Sequence, residues 1–224
     1  IAAALAAGCT MIIKPSEEAP TACFLIAEAV RRAGLPKGVL NVVTGRSADI
    51  SRRLIASPVV RKVSLTGSVP VGKELMRQCA DGVKRMSMEL GGHAPVLVMP
   101  DADAAAAARA CAAAKFRNAG QVCISPTRFY VHEDQYEGFA EAMTKAARDI
   151  RIGPGTDPSS TMGPMANARG RDRIMDLVED ALDKGAALLS GGKVPASHNT
   201  GFYYEPTVLG HVPETARIMS EEPF

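Results

Sequence analysis

From Cys9 to Leu90, short apolar runs closed by Gly or Pro alternate with amphipathic stretches, and this rhythm leaves few folds open. Cys9 to Lys14 reads as a buried strand stopped by Pro15, Val39 to Val43 as a second, Lys62 to Leu65 as a third and Arg85 to Leu90 as a fourth. Helices fill the intervals. One is capped by Thr21, carries Phe24, Leu25, Ala29 and Val30 on one face and ends at Ala33-Gly34, with Pro36 beyond; others cover Ala48 to Ala56 and Gly67 to Ala80. Sequential strands joined through helices make right-handed crossovers, so an α/β fold with parallel pairing is expected.

The rhythm restarts after Gly91-Gly92. Ala94 to Met99 reads as a strand, and Asp101-Ala102-Asp103 offers caps for an alanine-rich helix running to about Lys115. A loop with Cys123 leads to a strand at Thr127 to Val131 and a helix from Asp134 to about Asp149. A last helix, Arg169 to Lys184, precedes a strand at Ala187 to Leu189 and a loop over Gly191 to Gly201. A glycine pair between two α/β runs is a natural hinge, so the domains are expected at 1–91 and 92–224.

Composition excludes several classes of function. Net charge is +2 with no basic stripe, and aromatics are 4%, which leaves little with which to stack bases, so nucleic acid is not an expected partner. No apolar run reaches the roughly 20 residues that span a bilayer. The five cysteines are widely spaced, with no C-x-x-C pair and no histidine at ligand spacing, which points to a reducing, cytoplasmic setting and no metal site. The four histidines, His93, His132, His198 and His211, read as ordinary surface or loop residues. The chain starts on Ile1 in what reads as the tail of a helix and stops at Phe224, so it is expected to be an internal piece of a longer protein.

Four features could carry chemistry. Thr66-Gly67-Ser68-Val69-Pro70-Val71-Gly72 follows a strand and opens a helix, where backbone N–H groups and the helix dipole can face a phosphate; sharp turns of purely structural origin use Gly as often, and the G-x-G-x-x-G pattern is missing. Lys14-Pro15-Ser16-Glu17 stands at the carboxyl end of the first strand, where ribose hydroxyls could be held. The plainer explanation has Glu17 and Glu18 opening the next helix with favourable dipole charge. Glu89, before two glycines, could take a proton from water, though most glutamates at strand ends are simply solvated. A free thiol is more often a buried structural one, but Cys123 lies among Gly120, Gln121, Ser125 and Pro126, a polar, irregular setting that favours function over core packing.

Taken together and in order, these motifs resemble the aldehyde dehydrogenase superfamily. The resemblance runs through K-P-S-E at Lys14 to Glu17, L-P-x-G-V-x-N at Leu35 to Asn41, T-G-S at Thr66 to Ser68 and E-L-G-G at Glu89 to Gly92. It continues through D-A-D at Asp101 to Asp103, F-x-N-x-G-Q-x-C at Phe116 to Cys123 and E-E-x-F at Glu221 to Phe224. It implies a Rossmann-like, parallel-sheet NAD-binding domain followed by an α/β catalytic domain, in a homo-oligomeric parent that oxidises an aldehyde to an acid. Cys123 then resembles the nucleophile that forms a thiohemiacetal and a thioester, and Glu89 the base that activates water. The cofactor would be held by Lys14, Ser16 and Glu17 at the adenosine ribose and by Gly67, Ser68 and Val71 at the pyrophosphate. Leu90 and Gly91 would lie alongside, with Glu222 and Phe224 at the nicotinamide ribose and ring.

Within the superfamily, the run Lys115 to Gln121 is similar to succinate-semialdehyde dehydrogenases, where the Arg six residues before the cysteine pairs with the substrate carboxylate; Arg117 holds that place. An Arg at a helix end can equally serve carbonyls or a surface acid. Glu17, as a carboxylate beside the ribose, favours NAD over NADP. The alternatives are an uncharged aldehyde as substrate, a CoA-acylating relative, which would not need Glu89, and a non-catalytic protein that kept the fold. The family's side-chain oxyanion donor falls in a motif absent here, so this piece alone is expected to be poorly active.

Overall fold

Parallel pairing in the first half follows from the crossovers that separate its strands. The computed structural model describes residues 1–198 and 200–224, which fall into two compact units, Ile1–Leu90 and Gly91–Phe224. In the first, β1 (Met11–Ile13) pairs parallel with β2 (Leu40–Val42), and β3 (Lys62–Gly67) with β4 (Arg85–Leu90). The helices are α1 (Ala2–Ala6), α2 (Thr21–Arg32), α3 (Ser47–Ala56) and α4 (Val69–Ala80). Ile55, Leu75 and Cys79 are buried between α3, α4 and the inner faces of β3 and β4, where Val63, Leu65 and Met86 recur at the period of two that a half-buried strand requires.

Two expectations need correction here. Thr21 opens α2 but does not cap it; Pro20 stands at the cap, where its ring has no donor or acceptor to offer, and the N–H it lacks would be unpaired there anyway. Of the apolar residues that share a face of α2, Phe24 and Leu25 are 46% and 66% exposed, and the helix buries no residue fully. Gly67 ends a strand and does not begin the helix, because Leu90 across the ladder continues the pairing that far.

In the second unit, β5 (Ala94–Val98) pairs parallel with β6 (Pro126–Val131) across the crossover helix α5 (Ala104–Phe116). Asp103 caps α5 by accepting from Ala106 N–H at 2.9 Å. The alanines of α5 allow α6 (Glu133–Arg148) to approach closely, and Ala108, Ala112 and Phe116 share a core with Phe139, Met143, Ala147 and Val98. Asn167 caps α7 (Ala168–Asp183), which is followed by β7 (Ala187–Ser190). An unforeseen strand, β8 (Val208–Gly210), pairs antiparallel with β7, so the second unit is not purely parallel. The loop expected over Gly191 to Gly201 includes Asn199, which lies outside the described residues. Among the described residues, no helix is long and apolar enough to cross a membrane.

Candidate functional site

The Cys123 loop is built by its neighbours' side chains. After α5, Asn118, Ala119 and Gly120 take left-handed φ values of 53°, 54° and 76° in succession, which turns the chain sharply. Two reciprocal bonds close the turn: Asn118 Nδ2 donates to the Gln121 carbonyl at 3.1 Å, and Gln121 Nε2 donates to the Asn118 carbonyl at 3.2 Å. The Asn and Gln of the motif are therefore a paired clasp. Gln121 Oε1 also accepts from Ala166 N–H at 3.2 Å, and Ser125 is anchored through its N–H to the Val122 carbonyl and its hydroxyl to that of Lys115. Cys123 and Ile124 form the tip of the turn between these anchors, and the thiol is exposed.

By contrast, Cys79 is buried, and burial pushes the thiols of Cys79 and Cys111 up, away from the thiolate. Beneath the loop, burial pushes the Lys115 ammonium down to about 8. Its Nζ would stand 3.1 Å from a Cβ placed on Gly120.

The carboxyl ends of β3 and β4 form a second locus, within the first unit. Their register sets Glu89 opposite Thr66 and Leu90 opposite Gly67. Glu89 is exposed, and its carboxylate accepts no hydrogen bond among the described residues. Just beyond, Ser68 stands at the cap of α4 without a side-chain bond, so the first-turn N–H groups keep room for an anion such as a pyrophosphate. Gly72, the last residue of the same motif, to which the sequence assigned no role of its own, lets α4 lie on β4: a Cβ there would come within 2.9 Å of both Leu90 methyl carbons. Its spacing after Gly67 in a strand-turn-helix segment is the signal that could have found it. Val71 is half exposed on the same first turn.

Glu17 lies outside the first turn of α2, which removes the dipole explanation for it. Its Oε1 accepts from the Ser47 hydroxyl at 2.7 Å and faces Lys14 Nζ at 3.5 Å. The Ser47 bond, and then the Lys14 charge, hold this carboxyl below its ordinary range. Ser16 turns its hydroxyl to the Glu18 N–H at 3.2 Å. Ser47 is the residue the sequence did not flag here, although Gly45-Arg46-Ser47 marks the turn that brings it in.

In the second unit, Glu222 Oε1 accepts from Gly92 N–H at 2.9 Å, and a Cβ on Gly91 would overlap the Glu222 carboxylate. Phe224 is exposed two residues on. His93, expected as an ordinary loop residue, is instead partly buried in a network, because strand pairing brings β6 beside it. Its Nε2 meets the Ile218 carbonyl at 2.7 Å, and a carbonyl only accepts, so Nε2 carries the proton and Nδ1 accepts from the Thr127 hydroxyl at 3.0 Å. Burial lowers the His93 pKa against the opposing pull of that carbonyl, and the Arg128 and Lys115 charges lower it further. His132 is likewise a working residue: its Nδ1 caps α6 by accepting from Asp134 N–H.

Arg117, at the end of α5, is exposed and forms no hydrogen bond or ion pair among the described residues; it serves neither the helix carbonyls nor a surface acid. Among the described residues no group of three or more His, Cys, Asp or Glu could hold a metal ion.

The sequence pattern of the aldehyde dehydrogenase family matches residues 1–224. The succinate-semialdehyde dehydrogenase (NADP(+)) of Escherichia coli (strain K12) is 43% identical over 221 residues, which cover 99% of this chain and 45% of that enzyme. The 3-sulfolactaldehyde dehydrogenase of Pseudomonas putida is 44% identical over 224 residues, covering 100% of this chain and 46% of its own length. Among solved structures, an NADP dependent enzyme of E. coli superimposes with a TM-score of 0.95 at 43% identity, over 98% of this chain and 45% of that one. The chain thus spans about half the length of these relatives, and it belongs to the aldehyde dehydrogenase family.

Proposed function

We propose that the whole protein oxidises an anionic semialdehyde to its carboxylic acid with NAD(P), and that Cys123 is the nucleophile. The observation that carries this reading is the presentation of the thiol: exposed, at the tip of a turn clasped by Asn118 and Gln121. In this reading the Cys123 thiolate adds to the aldehyde carbon, and its own backbone N–H meets the oxyanion so formed. A dinucleotide held by the cofactor residues named below would supply the hydride acceptor, and loss of a hydride from that carbon would leave a thioester on Cys123. Glu89 takes a proton from water as the water oxygen attacks the thioester; the C–S bond breaks and the thiolate is regenerated. An exposed carboxylate with no competing partner among the described residues suits that task.

For the cofactor, Lys14, Ser16 and Glu17 are assigned to the adenosine ribose, and Gly67, Ser68 and Val71 to the pyrophosphate at the α4 terminus. Leu90 and Gly91 are assigned alongside it, and Glu222 and Phe224 to the nicotinamide ribose and ring. Glu17, kept ionised by Ser47 and Lys14, accepts from ribose hydroxyls and repels a 2′-phosphate, so NAD is preferred here even though a relative is named for NADP(+).

Arg117, whose guanidinium has no partner among the described residues, supplies a fork for the substrate's far end. Succinate semialdehyde, named for one relative, ends in a carboxylate, and 3-sulfolactaldehyde, named for another, ends in a sulfonate. Both are anions such a fork accepts. The five free thiols suit the reducing cytoplasm, and a homo-oligomer follows from the family resemblance.

The test is a panel of succinate semialdehyde, glutarate semialdehyde and uncharged aldehydes of equal length, each with NAD and NADP, using the protein at its full natural length. Faster turnover of the anionic aldehydes with NAD is expected, and Arg117→Ala should raise their KM alone. No turnover of any aldehyde would sink the reading, and equal effects of Arg117→Ala on charged and uncharged aldehydes would remove the anion preference.

A further inference from the structure

Two side chains outside every motif, His93 and Arg128, grip the stretch that carries Glu222, and Thr127 backs the first. His93 Nε2 donates to the Ile218 carbonyl at 2.7 Å, and Arg128 Nη1 donates to the Met219 carbonyl at 3.3 Å. Arg128 Nη2 turns back to the His93 carbonyl at 2.8 Å, and the Thr127 hydroxyl fixes the imidazole from β6. Ile218 and Met219 belong to the 3-10 turn Arg217–Met219, and three residues later the Glu222 carboxylate returns to Gly92 N–H, the neighbour of His93. The Gly92-His93 segment therefore holds the 218–222 segment at two points, one through an imidazole and one through a carboxylate. The hold leaves Glu222 Oε2 with no hydrogen bond among the described residues.

A short segment fixed at both ends has already lost the backbone freedom that ligand binding would otherwise have to remove. We propose that His93, backed by Thr127 and Arg128, is a positioning residue: it sets the main chain at Ile218 so that Glu222 keeps one carboxylate oxygen on Gly92 and presents the other to a ribose diol. This rests on the cofactor role proposed for Glu222. His93 itself touches no substrate or cofactor. Arg173 of α7 independently holds the Glu222 carbonyl at 2.9 Å, so losing His93 loosens the segment without freeing it.

The experiment compares wild type, His93→Phe, His93→Gln and Glu222→Ala at full natural length, with and without His93→Phe in the Glu222→Ala background. Dissociation constants for NADH and NADPH come from nucleotide fluorescence, kcat and KM from turnover, and unfolding midpoints from heating. His93→Phe should weaken dinucleotide binding and raise its KM about tenfold, with kcat and the aldehyde KM changed less than about twofold. His93→Gln, whose amide can replace the Nε2 donor, should recover most of that loss. Once Glu222 is Ala, His93→Phe should weaken binding no further. Unchanged binding in His93→Phe, a failure of Gln to restore it, or an undiminished effect without Glu222 would overturn the proposal.

If His93→Phe does not fold, Thr127→Val takes its place; it must weaken dinucleotide binding, and no change overturns the proposal. A wild type that binds NADH but oxidises no aldehyde, with binding still weakened in His93→Phe, defeats the proposed activity and supports the positioning role. Turnover with binding unaffected by His93→Phe does the reverse. A wild type that binds no dinucleotide overturns both.

Discussion

Gly91→Ala isolates one contact, because only Glu222 stands in the way. Gly91 does not have a left-handed φ, so its backbone accepts alanine, and the three atoms nearest an added Cβ all belong to the Glu222 carboxylate. The side chain must leave, and with it goes the bond to Gly92 N–H. A hydrogen bond to a charged group contributes about 1.5–3 kcal/mol, and partial exposure of Gly92 and Glu222 puts this one at the lower end. Replacing Gly by Ala at an unstrained position meanwhile stabilises by about 0.4–1 kcal/mol through the unfolded chain.

The net expectation for Gly91→Ala is a loss of roughly 1 kcal/mol in the wild-type background. In Glu222→Ala, where the obstacle is gone, the same change should stabilise by about half a kcal/mol. Urea unfolding of the four proteins measures both values and the coupling between them. A Gly91→Ala cost that is the same with and without the Glu222 side chain would refute the reasoning.

Gly120→Ala places a Cβ on a left-handed residue, against Lys115, and should cost about 1–2 kcal/mol in urea unfolding; it should also change the rate at which iodoacetamide alkylates Cys123. Ala119→Gly, in the same turn, relieves a comparable strain and should leave stability level or raised. For pH, His93 has a folded pKa below its ordinary 6.5, so the unfolded chain binds the proton first. Its contribution is complete above 6.5 and is lost as the pH falls below that value, with Arg128 from β6 and Lys115 from α5 facing the imidazole and Thr127 bonded to it. The thermal midpoint should therefore drop on acidification from neutral pH, and His93→Gln should flatten the drop between about pH 7 and 5.

Elements whose signals are local were legible. β4 runs over Arg85–Leu90 as its alternation indicates, and Asp103 caps α5 as an Asp before an alanine run should. What depends on distant partners was not. β8 is three residues long between Pro206 and Pro213, too short to show a period, and exists because β7 lies beside it. Gly67 joins β3 only because Leu90 stands opposite. Two of three left-handed residues in the cysteine loop are Asn and Ala, so no glycine announced the turn's start.

For the candidate site, the motifs pointed to Cys123, Glu89 and Glu222 but carried no sign of the side chains around them. The Asn118–Gln121 clasp explains two motif letters that spacing alone left silent. His93 reaches Ile218 over 125 residues of chain, a contact no window of sequence contains. Arg117 could be read either way from its place at a helix end; its lack of partners among the described residues is a fact of the folded chain.

The most direct test of the central claim is the mass of the Cys123 peptide after Glu89→Gln, at full natural length, is mixed with succinate semialdehyde and dinucleotide and quenched in acid. With the nucleophile in place and the water-activating base gone, one succinyl group should accumulate on Cys123 in step with a single burst of reduced dinucleotide, and Cys123→Ser should show neither. Undiminished steady turnover by Glu89→Gln without acylated Cys123, or an acyl group on any other residue, would contradict the account.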